Sequence, residues 1–322
     1  MDYKLDNIDR RILFELDRNS RIPETKLAKI IRKSKESVRY RIKKLKEEKI
    51  ILGFTTWIDP VKLGFHSTKI YLKLTNVPDK KKEFIEYVKS DKRLFWLGIA
   101  EGKWNAGLTF FVRDNEEFFT LKNELFSKFK DLIIESYTAS LVSVHTHDRT
   151  FLHYSQTTWV TMFKESGAYR LDEISIKILK ELFENSRVNI ATIASKYDTT
   201  VDVVRNRMKK LEAEKIIVRY TIAVDYQKLG LEFYKSFLYF YNLTEKDLEK
   251  LMNYCLNHPN ILHFIKQISP WDVELEIMCE NYKKYNEIIS EVTEKFSYII
   301  RDVDTAIMSE DYVFPSKKLI FE

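Results

Sequence analysis

Helix breakers are scarce in this chain, whose 322 residues include only 7 Gly and 6 Pro. That scarcity excludes collagen-like and Gly/Pro-rich low-complexity architectures and leaves room for long helices. Thiols are scarcer still. Cys255 and Cys279 are the only two, their spacing fits neither a zinc site nor a redox pair, and each is expected to act as a small core residue. No apolar run reaches the roughly 18 residues that read as a membrane-spanning helix. The opening MDYKLDNIDRR is polar where a secretory signal needs an apolar stretch, so a cytoplasmic location with no membrane partner is expected. GxSxG and GxxxxGK[ST] do not occur, and no Ser-His-Asp set is recognisable.

Core-forming material, by contrast, is ample: 44% of residues are hydrophobic and 14% aromatic, enough for two to four folded domains. The net charge of +6 is concentrated at one end. Residues 1–65 carry 17 Lys and Arg against 10 Asp and Glu, whereas residues 232–322 carry 10 against 16. An anionic partner such as nucleic acid is therefore to be sought first at the basic end.

The chain also contains itself twice. VRYRIKKLKEEKII from Val38 matches VRNRMKKLEAEKII from Val204 at ten of fourteen positions. Residues 5–64 align without a gap on residues 171–230 at a constant offset of 166, with 26 of 60 positions identical. A period this long describes a duplicated multi-part unit and not a stacked solenoid.

In the first copy, Asp6 is a suitable N-cap for a helix over 7–18 with Ile8, Ile12, Leu13 and Leu16 on one face. Pro23 suits the first turn of a second helix ending by Arg32 or Lys33. Ser34 can cap a third, whose Val38, Ile42 and Leu45 form a narrow buried stripe. The short turn between the last two helices is that of a helix-turn-helix. IILGFTTWIDP then reads as a wing or a linker strand pair. Residues 66–74, 94–100, 106–113 and 132–145 read as strands, with helices over 79–90 and 115–129, an order of βαββαβ. The second copy repeats it with strands near 233–241, 261–268, 272–279 and 299–308 and helices near 244–257 and 281–296. A split βαβ sheet with two helices on one face fits that order.

The expected fold is thus α+β: winged helix-turn-helix domains at 1–65 and 171–231, and ferredoxin-like βαββαβ domains at 66–147 and 232–322. Residues 148–170 join the copies, and their Phe151, Tyr154, Trp159 and Phe163 make them too aromatic for a solvated tether, so packing across the two halves is expected.

NSR before the second helix, RIKKLKEEKII at the end of the third, and DPVKLGF ahead of a βαββαβ unit together resemble the Lrp/AsnC transcription regulators, twice over. The resemblance implies a DNA-binding winged helix-turn-helix followed by a RAM domain that dimerises and senses small molecules such as amino acids. The family's Gly-x-x-Asp turn falls on Gly102, Lys103, Trp104 and Asn105 here, with Asn for Asp, and on Ser269, Pro270, Trp271 and Asp272 in the second copy, with no Gly. Gly102, Trp104, Asn105, Trp271 and Asp272 are the candidate effector-binding residues. For the two tryptophans, core packing is the alternative.

On the third helix, Lys35, Arg39 and Lys43 recur every four residues beside the buried stripe, a face that can line a major groove. Lys35, Glu36, Ser37, Arg39 and Tyr40 are candidates for base contact, and Lys33, Ser34, Arg41, Lys43 and Lys44 for backbone positioning on double-stranded DNA. An ordinary solvated helix face is the alternative. The second copy replaces Arg32, Lys33, Lys35 and Ser37 by Asp198, Thr199, Val201 and Val203. Its candidates for a weaker, auxiliary contact are Thr200, Arg205, Asn206, Arg207 and Lys209, because carboxylates near phosphates oppose binding.

Fusing two such halves makes an intrachain pseudo-dimer, with further homo-oligomerisation left open. His145 and His147 share a strand face with Asp148 and His153 nearby, which is too little for a metal site without a third defined ligand. No cofactor is expected. A DNA-binding, non-enzymatic regulator leads. Two alternatives stand beside it: an enzyme like the sirohaem decarboxylases, which also resemble this family, and a small-molecule sensor whose helix-turn-helix units serve assembly alone.

Overall fold

The elements follow one another twice in the same order. Helices α1 (Asn7–Arg18), α2 (Glu24–Ile31) and α3 (Lys35–Glu47) lead to β1 (Ile51–Ile58), then β2 (His66–Leu74), α4 (Pro78–Ser90), β3 (Leu94–Gly102), β4 (Ala106–Val112), α5 (Asn115–Lys128) and β5 (Ile133–His147). After a short β6 (Trp159–Met162) come α6 (Glu173–Glu184), α7 (Ile190–Lys196), α8 (Val201–Ala213) and β7 (Ile217–Val224). The repeat closes with β8 (Glu232–Phe240), α9 (Glu245–Leu256), β9 (Ile261–Ile268), β10 (Val273–Cys279), α10 (Tyr282–Lys295) and β11 (Ile300–Val313). The fold is α+β, with two helix-turn-helix segments and two βαββαβ halves whose strands join in one sheet instead of the two separate ferredoxin-like sheets expected. The structure, a computed structural model, describes residues 4–153, 159–164 and 167–313, so Tyr154 lies outside the described residues.

Local chemistry sets the helix ends. Asp6 accepts from the N–H groups of Ile8 and Asp9 at 2.8 Å, and Asp9 accepts from the Asp6 N–H at 3.2 Å, a reciprocal cap on α1. Pro23 stands just before α2, with its ring holding φ at −60°, and the helix stops at Arg32 in the left-handed region with φ 57°. Ser34 then caps α3 by accepting from the Ser37 N–H at 3.1 Å. Asp172 and Thr200 do the same for α6 and α8.

Two compact units form, and each takes its elements from both copies. In the helix-turn-helix unit, β1 does not fold back on its own copy as a wing. It pairs antiparallel with β7, and Thr55 stands opposite Thr221, its counterpart 166 residues on, which places a local two-fold axis through that pair. Ile12, Leu16, Val38, Ile42 and Leu45 lie in the core of the first copy's part, where the periodicity placed them, together with Leu27 and Ile31 of α2. Phe151 meets Tyr226 edge-on at 6.2 Å, and Leu152 is buried in the same core.

The barrel unit is a closed ring of eight strands in the order β2-β4-β3-β11-β8-β10-β9-β5, with β5 pairing back to β2 and β6 added beside β5. Closure removes the free edges that a four-stranded half would expose. Phe84, Val88, Leu121 and Leu125 of α4 and α5 cover the outer face of one half. Leu251, Cys255, Ile288 and Val292 of α9 and α10 cover the other. Cys255 and Cys279 are both buried free thiols, and burial pushes both thiols up. Phe163, from the segment between the copies, packs on Phe95 and Phe111. Inside the ring, the indole of Trp96 fills the space left by Gly98 and Gly107, and a Cβ at Gly107 would stand 2.6 Å from it.

Candidate nucleic-acid interface

Burial of Val38, Ile42 and Leu45 turns the opposite side of α3 outward. Lys33, Ser34 and Glu36 are exposed, and Lys35 and Ser37 are half-buried. Tyr40 is 67% exposed, an unusual position for a large ring, and the Lys43 side chain is 75% exposed. Arg39 is exposed but oriented: its Nε and Nη2 donate to Glu24 Oε2 at 3.0 and 2.8 Å. Glu24 was not among the sequence candidates. It lies on α2, fifteen residues away, and no local spacing reveals the pairing.

Lys43 lies 3.7 Å from Glu47 and Lys44 2.8 Å from Glu48, one helical turn on. The bond to Glu48 holds the Lys44 pKa above its ordinary value and the Glu48 pKa below its own. Lys33 and Lys35 have no ion pair among the described residues and present their charge undiminished.

Arg41 is a different kind of residue from the one its position promised. Its Nη1 donates to Asp9 Oδ1 at 2.7 Å and to Asp6 Oδ2 at 2.8 Å, and Asp9 is 1% exposed. A guanidinium held by two carboxylates at the start of α1 ties the third helix to the first and is not offered to a phosphate. Arg207 makes the matching 2.8 Å contact with Asp172 in the second copy, so it too is a strut.

The second recognition helix shows what its substitutions do. Thr200 spends its hydroxyl capping α8, accepting from the Val203 N–H at 3.2 Å. Arg205 is paired with Asp202 on the same helix. Asn206 and Lys209 are exposed, Val203 is 38% exposed, and Asp198 and Asp202 add negative charge to the same end. The two helices share a scaffold, but the second carries fewer cations, with Asp198 and Thr199 ahead of it where the first has Arg32 and Lys33.

The candidate effector residues separate. Trp104 and Trp271 are each 1% exposed, and their rings face one another at 5.9 Å among Tyr71, Phe237 and Tyr137. They fill the barrel core and line no described cavity. Asp272 is exposed on its turn, and partial desolvation of its carboxyl raises its pKa. Asn105 lines a cavity of about 370 Å³ with Lys73, Lys81, Ile85, Ile99 and Glu101, and its Oδ1 accepts from the Leu74 N–H at 2.9 Å. Gly102 is beside it: φ is +116°, and its carbonyl accepts from Lys73 Nζ at 2.8 Å.

His145 and His147 are held in place by hydrogen bonds. His145 lies between Ser143 Oγ at 2.9 Å and Thr161 Oγ1 at 3.0 Å, and burial pushes its pKa down to about 4. His147 Nδ1 meets the Asp148 carbonyl. Among the described residues no group of three His, Cys, Asp or Glu side chains is placed to hold a metal, and no helix is long and apolar enough to cross a membrane.

Comparison with known proteins agrees with the duplicated helix-turn-helix. Residues 5–46 match the AsnC-type helix-turn-helix domain, and residues 171–218 match a winged helix-turn-helix DNA-binding family. The transcriptional regulator LrpA of Pyrococcus abyssi is 41% identical over 119 residues, which is 35% of this chain and 79% of that protein. The proline dehydrogenase transcriptional activator of Rhodobacter capsulatus is 39% identical over 77 residues, 24% of this chain and 50% of that one. Over its full length the fold is like that of the siroheme decarboxylase NirDL, with a TM-score of 0.67, 98% of this chain and 96% of that chain covered, and 12% identity. At that identity the likeness is one of fold alone.

Proposed function

Since this chain belongs to the Lrp/AsnC family of transcriptional regulators, we propose that it is a sequence-specific DNA-binding regulator that works as an intrachain pseudo-dimer. The observation that carries the reading is the outward face of α3 and the turn before it, where Lys33, Arg39, Tyr40 and Lys43 are exposed and Lys35 is half-buried, while Glu24 and Glu47 pair Arg39 and Lys43 without covering them. A helix of this width enters a major groove, with residues near its N-terminal end reaching base edges. Arg39, pre-oriented by Glu24, and Lys35 read bases; Lys33 and Lys43 meet phosphates. The second helix contributes a weaker contact through Arg205, Asn206 and Lys209, because Asp198 and Asp202 repel the same backbone.

The test is binding to promoter fragments as a function of salt. Arg39→Ala with Lys43→Ala is expected to weaken binding and flatten its salt dependence. Unchanged affinity and slope would defeat the assignment. The cavity beside Asn105 and Gly102 lies in the size range of small-molecule pockets. An amino acid or similar effector held there is expected to raise the melting temperature on addition.

A second reading is enzymatic, supported by the full-length likeness of fold to a siroheme decarboxylase, a protein also described in co-complex with an iron-uroporphyrin III analogue. Purified protein that carried a coloured tetrapyrrole, or bound one tightly without binding promoters, would favour it.

A further inference from the structure

The barrel encloses four ionised groups of unequal origin. Lys69 on β2 and Lys235 on β8 are counterparts 166 residues apart, with side chains 4% and 2% exposed. Both carboxylates that serve them stand on β10. Lys69 Nζ donates to Glu274 Oε2 at 3.0 Å, Lys235 Nζ donates to Glu274 Oε1 at 2.5 Å, and Lys235 also reaches Glu276. Tyr71 donates its hydroxyl to Glu274, and His263 Nε2 lies 3.7 Å from Glu276.

The first copy has no such acids. Strand β4 occupies the place of β10, with Thr109 opposite Lys69 where Glu276 is opposite Lys235, and Gly107 opposite Tyr71 where Glu274 is opposite Phe237. To this cluster the first copy brings one lysine, and the second brings one lysine and two glutamates.

Only one pairing of halves balances these charges. First with second encloses two lysines and two glutamates. First with first would bury two lysines with no acid, and second with second would bury four glutamates against two lysines. A buried charge left without its partner is strongly destabilising, whereas a complete cluster is near neutral, so such a cluster acts on the choice of partner more than on stability.

We infer that the Lys69–Glu274–Lys235–Glu276 cluster is a partner-selection device, which makes the barrel-forming surface of each half accept the unlike half and reject a second copy of itself. The helix-turn-helix unit carries an independent example. Asp17 on α1 accepts from Arg149 and, at 2.7 Å, from Thr221 Oγ1, while Arg219 Nη2 lies 3.1 Å from Asp148 and Nη1 3.8 Å from Asp17. The counterpart of Asp17 is Phe183 and that of Arg219 is Gly53, so a like pairing of second copies would leave Arg219 facing a phenyl ring. Selection of this kind concerns assembly and holds whether or not the chain binds DNA.

The test uses the full chain with Glu101→Cys and Ser140→Cys, both in the first copy. In the native register Glu101 stands opposite Ile307 and Ser140 opposite Ile268, so neither introduced thiol faces the other. Ser140 and Ile307 hold the same place in the two copies, opposite the counterparts Thr68 and Tyr234, so a first-with-first barrel between two chains would set the two thiols opposite one another, within reach of a disulfide. Adding Lys69→Met and Glu274→Gln leaves Lys235 and Glu276 as a neutral pair and makes all three pairings neutral.

After unfolding and refolding at rising concentration with mild oxidant, the parent is expected to give no linked dimer. The neutralised chain is expected to give about a hundredfold more, and Lys69→Arg to behave as the parent. Equal yields in the two backgrounds would overturn the inference, as would no dimer in the neutralised chain, since the covalent tether alone would then enforce the pairing. Urea unfolding supplies a second measure: the double change must cost less than either Lys69→Met or Glu274→Gln alone. A double variant that fails to fold where the single ones succeed would also overturn it.

Discussion

Ser20 and Ser186 touch each other, Oγ to Oγ at 2.6 Å, although 166 residues separate them and each is the other's counterpart in the duplication. The contact lies on the local two-fold axis of the helix-turn-helix unit. Around it the bonds are mirrored: the Ser20 N–H donates to the Tyr220 carbonyl and the Ser186 N–H to the Phe54 carbonyl, while Arg21 lies over the Tyr220 ring and Arg187 over Phe54. Ser20→Ala leaves the Ser186 hydroxyl buried without its partner and is expected to cost about 1–3 kcal/mol. The double change to alanine should cost less than the sum of the single ones, as read from urea unfolding.

Arg41 separates stability from DNA contact. Its removal takes the guanidinium away from the buried Asp9 carboxylate, so Arg41→Ala is expected to lower stability by about 2–4 kcal/mol. Lys33→Ala, on an exposed side chain, is expected to change stability by less than about 0.5 kcal/mol. On a promoter fragment the order reverses. Lys33→Ala with Lys43→Ala should reduce the salt slope of binding by about 1 for each phosphate no longer neutralised.

His145 supplies a pH signature. Its folded pKa of about 4 lies below the ordinary histidine value of 6.5, so the unfolded chain takes up a proton before the folded one does. The stability it contributes is therefore complete above about pH 6.5 and declines as pH falls towards 4, with no further loss from this group below that. His145→Gln should flatten that part of the stability profile in denaturant titrations run across the range.

The paired tryptophans can be separated from any binding role by substitution. Trp104→Ala or Trp271→Ala removes a fully buried ring and is expected to cost about 3–5 kcal/mol. Neither indole N–H has a hydrogen-bond partner among the described residues. A phenylalanine at either position keeps much of the apolar contact and deletes the unsatisfied donor, so it should cost well under half of the alanine value, measured by the same unfolding curves.

Much of this architecture was legible in the sequence because it is written locally. The caps at Asp6 and Ser34, the 3.6-residue stripe of Val38, Ile42 and Leu45, and the βαββαβ order all rest on residues a few positions apart. The 166-residue repeat was visible for the same reason. What could not be read were the long-range partners. Nothing in the string IILGFTTWI says that β1 pairs with β7, and nothing near Arg41 says that its charge is already claimed by Asp6 and Asp9. Basic residues look alike in a sequence whether they are struts or contacts. Only the carboxylate that meets them decides, and Glu24 on Arg39 was as hidden as Asp9 on Arg41.

Trp96 has one last consequence. Its ring occupies the space above Gly98 and Gly107 and lies 4.2 Å from Lys235 Nζ, while in the second copy the strand place of Trp96 is taken by His263 and that of Gly107 by Glu274. Copying either half's strand onto the other would drive a carboxylate into the indole, or take away the two carboxylates that pair with the lysines. The halves began as the same text and have become a lock and its key, no longer open to correction against each other.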